Sequence, residues 1–139
     1  MFTLAALGLS ADLGLPVSAI AGAGSGPERS YPIPVADSVN LDRKSQVILV
    51  RYANRVYAFA LACPHEHAAV KWLAKDHRFQ CTKHDSQYTP DGKYTSGKAT
   101  RNLDRFPVRK EGSAVIVTRD RVFQSDQNAS AWNEAGIDV

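Results

Sequence analysis

The chain has 139 residues, of which 44% are apolar and 22% charged, with a formal charge of +3. That length fits one domain able to bury its own core, and the apolar share is that of an ordinary soluble globular protein. The charge is too small to demand nucleic acid, and no arginine-rich run or recognition helix supports one.

Residues 1–24 are unlike the rest. Leu4-Ala5-Ala6-Leu7-Gly8-Leu9 is a short apolar core, and Ala19-Ile20-Ala21 and Ala21-Gly22-Ala23 match the small-x-small pattern of a signal-peptidase site. No Lys or Arg precedes Arg29, so the basic start of a secretion signal is missing, as is a twin arginine. A membrane anchor is the second reading. Against it, Asp12 would cost about 2.5–3.5 kcal/mol at mid-span, and the apolar runs fall short of the roughly 20 residues that a span needs. A disordered Ala/Gly tail is the third reading. Residues 25–30, rich in Gly, Ser and Pro, read as a linker freeing the domain, residues 31–120, from that segment.

Tyr31-Pro32-Ile33-Pro34-Val35 predicts a first edge strand, because two prolines forbid a central one. Residues 46–52 and 55–61 are the clearest strands, joined at Ala53-Asn54 by a tight hairpin in which Asn tolerates a positive φ. The second strand runs directly into Cys63. Residues 70–73 and 77–80 predict a short hairpin around Lys75-Asp76 that brings Cys81 back beside Cys63. Thr89-Pro90-Asp91-Gly92 is a turn by composition. Residues 105–109 and 114–118, separated by Glu111-Gly112, close the domain, and residues 121–139 form a polar tail. Many short strands, regular turn signals and no long amphipathic helix predict an all-β fold.

The chemistry concentrates at Cys63-Pro64-His65 and Cys81-Thr82-Lys83-His84. These hold the only two cysteines in the chain, each beside a histidine. One thiolate and one imidazole from each of two loops suit zinc or an iron–sulfur cluster, not magnesium or calcium. Zinc knuckles more often pair like ligands, Cys-x-x-Cys with His-x-x-x-His. Here each knuckle is mixed, so each loop could give one ligand to each iron of a two-iron centre with Cys₂ on one iron and His₂ on the other. A zinc-binding interaction module without redox activity is the competing class.

The pattern resembles the Rieske family. The resemblance runs from Cys63-Pro64-His65 through Phe79, Cys81, His84, Ser86 and Tyr88 to Asp91-Gly92-Lys93 and on to Gly97, Ala99 and Leu103. It implies an antiparallel β-sandwich with a small cluster-binding subdomain made of two ligand loops, and one [2Fe-2S] cluster per chain. Cys63 and Cys81 would hold the inner iron, and His65 and His84 the outer one. Two neutral imidazoles in place of two thiolates remove negative charge, so such a centre takes an electron more readily than a Cys₄ cluster. By the same resemblance, Ser86 donates to a cluster sulfide and Tyr88 to a cysteine sulfur, and both tune the potential upward. His67 is expected in an exposed loop and His77 on the surface, with Trp72 and Phe79 as core cover.

Three positions depart from the high-potential members of that family. Ala68 and Lys83 stand where two further cysteines would clip the loops together, so packing and hydrogen bonds must hold them. Asp85 replaces a glycine, and its carboxylate would oppose reduction. Gly97-Lys98-Ala99-Thr100 replaces a Gly-Pro-x-Pro loop common in quinol-oxidising members. The expected potential is intermediate within the span of roughly −150 to +300 mV for Rieske centres.

The sequence carries no substrate site and no motif for a second, mononuclear iron. It reads as an electron-transfer component rather than a catalyst on its own. Its partner would be a redox protein: a cytochrome, an oxidoreductase large subunit or a reductase, in an exported or periplasmic, membrane-associated setting reached only through the N-terminal segment. A ferredoxin for a ring-hydroxylating oxygenase, in the cytoplasm, is the alternative.

Overall fold

The computed structural model describes residues 15–64, 68–83 and 85–139. Twelve short strands and one helix follow in order: β1 (Val17–Ala19), β2 (Glu28–Pro32), β3 (Ser38–Asp42), β4 (Val47–Tyr52), β5 (Arg55–Ala60), β6 (Val70–Leu73), β7 (Arg78–Cys81), β8 (Gln87–Tyr88), β9 (Tyr94–Ser96), β10 (Val108–Glu111), β11 (Ala114–Thr118), α1 (Ala129–Glu134) and β12 (Ile137–Asp138). They form three sheets, ordered β1-β3-β4-β5-β12, β10-β11-β2 and β6-β7-β8-β9. Every strand pair is antiparallel except β1 with β3. The fold is all-β, with a sandwich and a cluster-binding subdomain, as the sequence predicts. The subdomain carries its two loops on a four-stranded sheet of its own.

The β4–β5 hairpin is the centre of the molecule because it is apolar on both faces. Val47, Leu49, Val56 and Ala58 pack with Tyr31, Phe106, Val115 and Val117 of the three-stranded sheet side. Ile48, Val50, Tyr57 and Phe59, one residue out of phase, pack with Val70, Trp72, Phe79 and Tyr88 of the cluster sheet. Successive strand residues point to opposite faces, so a run such as Val47-Ile48-Leu49-Val50 is satisfied only by a strand covered twice. Fully burying one such side chain contributes about 1.5–3 kcal/mol. The hairpin turns on Ala53 and Asn54 with φ of 52° and 65°, the left-handed pair that matches the twist of a two-residue hairpin.

Strand positions differ from expectation where proline or polar residues obscure the pattern. The edge strand expected at residues 31–35 is Glu28–Pro32 and pairs with β11 from Thr118↔Glu28 to Ala114↔Pro32. Pro32 and Pro34 lack an N–H, which pushes the ladder toward the N-terminus. The strand expected at 105–109 begins only at Val108, past the donor-less Pro107, while Arg105 makes isolated bridges to Phe59 and Phe123. β3, with Val39 and Leu41 inward, went unread beneath its polar residues.

Residues 17–24 of the N-terminal segment lie on the domain, as does the tail, and the end of the expected linker, Glu28 to Ser30, belongs to β2. β1 joins the parallel edge beside β3, and Ala23 bridges Ser30. Asp42, 1% exposed, accepts from the Gly22 N–H at 2.9 Å, the Tyr31 hydroxyl at 2.7 Å and the Ser45 N–H at 3.1 Å. Burial alone would raise its pKa, but these donors outweigh it and hold the carboxyl below its usual range. At the other end, the Trp132 indole donates to Leu103 O at 2.8 Å, and β12 pairs with β5. The Arg105 guanidinium, 2% exposed, stacks 3.6 Å from the Trp132 ring centroid and donates to Trp132 O and Asp91 O, each at 2.7 Å. Burial lowers its pKa to about 10, which leaves it cationic at neutral pH. Trp132→Ala should therefore destabilise the whole domain by about 3–5 kcal/mol, measured by urea unfolding, whereas a loosely attached tail would leave the midpoint unchanged.

Candidate metal centre

Both ligand loops are closed at their bases by backbone hydrogen bonds. After β5 the chain makes a bridge between Ala62 and Ala69, with Val70 N–H donating to Leu61 O at 2.9 Å and Cys63 N–H to Ala68 O at 2.6 Å. After β7, Cys81 N–H donates to Ser86 O at 2.9 Å. The loops are then tied to each other. Val70 and Cys81 are direct partners across β6 and β7. Ala69 O accepts both the Thr82 N–H at 3.0 Å and the Thr82 hydroxyl at 2.8 Å. Ala68 and Lys83, the positions where a disulfide would sit by the family resemblance, flank this tie.

Within that frame Cys63 and Cys81 are free thiols, 0% and 2% exposed. The Tyr88 hydroxyl lies 3.4 Å from Cys63 Sγ. Burial first, then Cys63 and Cys81 as neighbours, push the Tyr88 phenol well above its usual pKa, so it stays a donor. Ser86 is fully buried, and its hydroxyl oxygen accepts the Ala99 N–H at 3.0 Å, which leaves the hydroxyl proton available. Trp72 and Phe79 meet edge-to-face at 4.8 Å and cover the site from the hairpin side. His77 is exposed and sits in the β6–β7 turn at φ 55° rather than in a strand, edge-on to Trp72 and Tyr52. Asp85 is exposed, with Gln80 donating to it at 3.4 Å.

His65, His67 and His84 lie outside the described residues. Among the described residues no group of three or more His, Cys, Asp or Glu side chains converges on one point. The structure thus places the two cysteines, Ser86 and Tyr88 around one buried spot. Two buried cysteines are a soft-metal donor set that binds as thiolate only with a cation to balance it, and sulfur beside a hydroxyl donor fits a two-iron, two-sulfide group.

A family model for the Rieske [2Fe-2S] domain matches residues 31–107. The chain belongs to the Rieske family. Its cofactor is therefore a [2Fe-2S] cluster, not zinc, and the chemistry of the domain is one-electron transfer through that cluster. The chain is 32% identical over 62 residues to the chloroplastic cytochrome b6-f complex iron-sulfur subunit of Bigelowiella natans, a match covering 45% of this chain and 25% of that protein. It is 28% identical over 74 residues to the ferredoxin component of the alkene monooxygenase system of Xanthobacter autotrophicus, covering 52% and 61%. The crystal structure of a cyanobacterial plasma membrane Rieske protein from Synechocystis PCC 6803 superposes with a TM-score of 0.47 at 21% identity, covering 66% of this chain and 86% of that one. The Rieske chain here spans between a quarter and two thirds of the curated relatives it matches.

Two features of this Rieske site were missed in the sequence. One is the Thr82 tie, which a lone threonine between Cys81 and His84 does not advertise. The other is the seat of a third loop, residues 97–100, on the second ligand loop. Gly97 has φ +103°, and a Cβ there would overlap the Ser86 Cα and stand 2.7 Å from its nitrogen. The family resemblance marks residues 97–100 as a loop, but it does not show this close approach. Gly97→Ala should displace this loop, break the Ala99–Ser86 bond and destabilise the domain by about 2–4 kcal/mol. Gly26→Ala, also at positive φ (+66°) but with nothing within 4 Å, should cost only about 1 kcal/mol; equal losses in chemical denaturation would reject the packing role.

Proposed function

We propose that the protein is a one-electron carrier whose cluster is held by Cys63 and Cys81 on the inner iron and by His65 and His84 on the outer iron. The observation that carries this reading is a pair of buried, unbridged thiols at the bases of two mutually tied loops, with the Tyr88 hydroxyl 3.4 Å from one sulfur. The cluster, when bound, supplies reversible one-electron chemistry. The chain's own residues set its poise. Tyr88 would donate toward Cys63 Sγ, and Ser86, held in place by the Ala99 N–H at its oxygen, keeps a hydroxyl proton that can be given to a cluster sulfide. Donors to sulfur favour the electron-rich state, so both raise the potential.

The partner is a redox protein, either a cytochrome-containing complex or an oxidoreductase subunit, in line with the b6-f likeness. Service to a monooxygenase is the second reading, favoured by the ferredoxin likeness. We place the domain at an exported, membrane-associated face, with residues 1–24 retained rather than cleaved. No helix among the described residues is long and apolar enough to cross a membrane. The support for retention is in the packing: Leu15 is buried, its carbonyl accepts from the Trp72 indole at 3.3 Å, and Ile20 N–H donates to Leu41 O at 2.9 Å. Processing after Ala21 or Ala23 would strip β1 and these contacts from the sheet that carries the ligand loops.

Reduced protein should give the paramagnetic resonance of a Rieske two-iron cluster, and Cys63→Ser or Cys81→Ser should abolish it; a silent, colourless native protein with bound zinc would end the reading. Ser86→Ala with Tyr88→Phe should keep the resonance but lower the midpoint potential, by roughly 40 mV for each 1 kcal/mol of lost preference for the reduced state. Intact mass of the protein recovered from its native host should include residues preceding Val17; a mature N-terminus at Gly22 or Gly24 would reject retention.

A further inference from the structure

The formal charge of +3 is not spread over the molecule. Of the 17 Lys and Arg and the 14 Asp and Glu, residues 63–101 hold seven and four. The remaining ten and ten cancel, so the whole excess sits on the stretch that builds the metal centre. Within it, three cations are already engaged: Arg78 with Asp76 at 3.6 Å, Lys93 with Asp91 at 3.8 Å and Arg101 with Asp104 at 2.9 Å. The other four, Lys71, Lys75, Lys83 and Lys98, are exposed, and Lys75 lies apart in the β6–β7 turn. Lys83 follows Thr82 in the second ligand loop. Lys98 follows Gly97, whose backbone lies against Ser86 in that same loop. Lys71 stands opposite Gln80, one residue from the Val70–Cys81 pair. The three cations therefore surround the ligand-loop end of the cluster sheet.

The strands between those lysines present polar side chains. Lys71, Gln80, Gln87 and Ser96 form one cross-strand row, each the register partner of the next. Of the large hydrophobic side chains that are exposed among the described residues, Val17, Val35, Tyr94 and Val139, only Tyr94 belongs to the cluster sheet. A lipid-inserting surface needs an apolar side, and among the described residues this sheet exposes Tyr94 alone. Lysines with interspersed carboxylates and amides suit instead a hydrated, salt-sensitive contact with another protein, of the small kind typical of redox encounters.

Resting on the carrier reading above, we propose that Lys71, Lys83 and Lys98 form the docking face for an acidic redox protein, one whose carboxylates surround its own electron-exchange site. Opposite charges at the two exit points steer the encounter and bring the redox groups together without a tight complex. One electron passes between the partners, with no bond made or broken.

The test uses the reduced holoprotein with two small oxidants, ferricyanide as a trianion and tris(phenanthroline)cobalt(III) as a trication. One electron leaves the protein and yields ferrocyanide or the cobalt(II) complex. At low ionic strength, Lys71→Glu with Lys98→Glu should slow ferricyanide about tenfold and speed the cobalt oxidant. Lys110→Glu with Arg121→Glu, an equal change of net charge away from the cluster sheet, should do much less. Poly-L-glutamate should compete with ferricyanide for the native protein and not for the Lys71/Lys98 variant. Equal responses of the two double variants would overturn the proposal, as would binding to phosphatidylglycerol vesicles through Lys71 and Lys98 without competition by poly-L-glutamate. An intact resonance in every variant shows that the carrier reading survives a failure of the docking face; its absence in the native protein would be a failure of the carrier reading itself.

Discussion

Two sulfur atoms must stay buried in the core of a molecule with no disulfide to hold their loops. Everything else in the structure bears on that constraint. Each loop is closed at its base by a main-chain hydrogen bond, Cys63 to Ala68 and Cys81 to Ser86, and the loops are joined by the double acceptor Ala69 O. Those bonds are local and individually worth about 1 kcal/mol. They are effective because the strands that carry them cannot move: β5 enters the first loop directly from a hairpin covered on both faces.

Covering a sheet twice accounts for the three-sheet arrangement. The three-stranded sheet β10-β11-β2 seals one face of β4 and β5, and the cluster sheet seals the other. The metal-binding subdomain is thus half of the protein's core. Loss of packing around Phe79 or Trp72 would loosen the site, and loss of the cofactor would leave two thiols in an apolar setting. Folding and cofactor binding are coupled for that reason.

The polarity of the centre follows from the same packing. Tyr88 and Ser86 are both buried, with the Tyr88 hydroxyl 3.4 Å from Cys63 Sγ, where a donor is worth most in a low-dielectric surrounding. Gly97 permits the third loop to press on Ser86, whose oxygen accepts the Ala99 N–H. The buried Arg105 sits behind the aromatic layer, its two terminal nitrogens donating to carbonyls and its plane lying over Trp132 and Tyr57, while its Nε has no hydrogen-bond partner among the described residues. It braces the subdomain turn at Asp91 against the C-terminal helix.

Some of this was legible in the residues alone. Alternation and turn composition gave the β4–β5 hairpin, the short hairpin before Cys81 and the final pair of strands, because each is decided by neighbours within a few positions. The paired cysteines and histidines gave the kind of metal centre, because ligand chemistry is a property of side chains and spacing. Polar strands such as β3, the docking of residues 17–24 and the burial of Trp132 depended on partners far away in the chain, and local pattern is silent about those. The Thr82 tie and the Gly97 approach were decided by tertiary structure for the same reason. A threonine hydroxyl becomes a clasp, and a glycine becomes obligatory, only when the fold sets another segment of backbone against it.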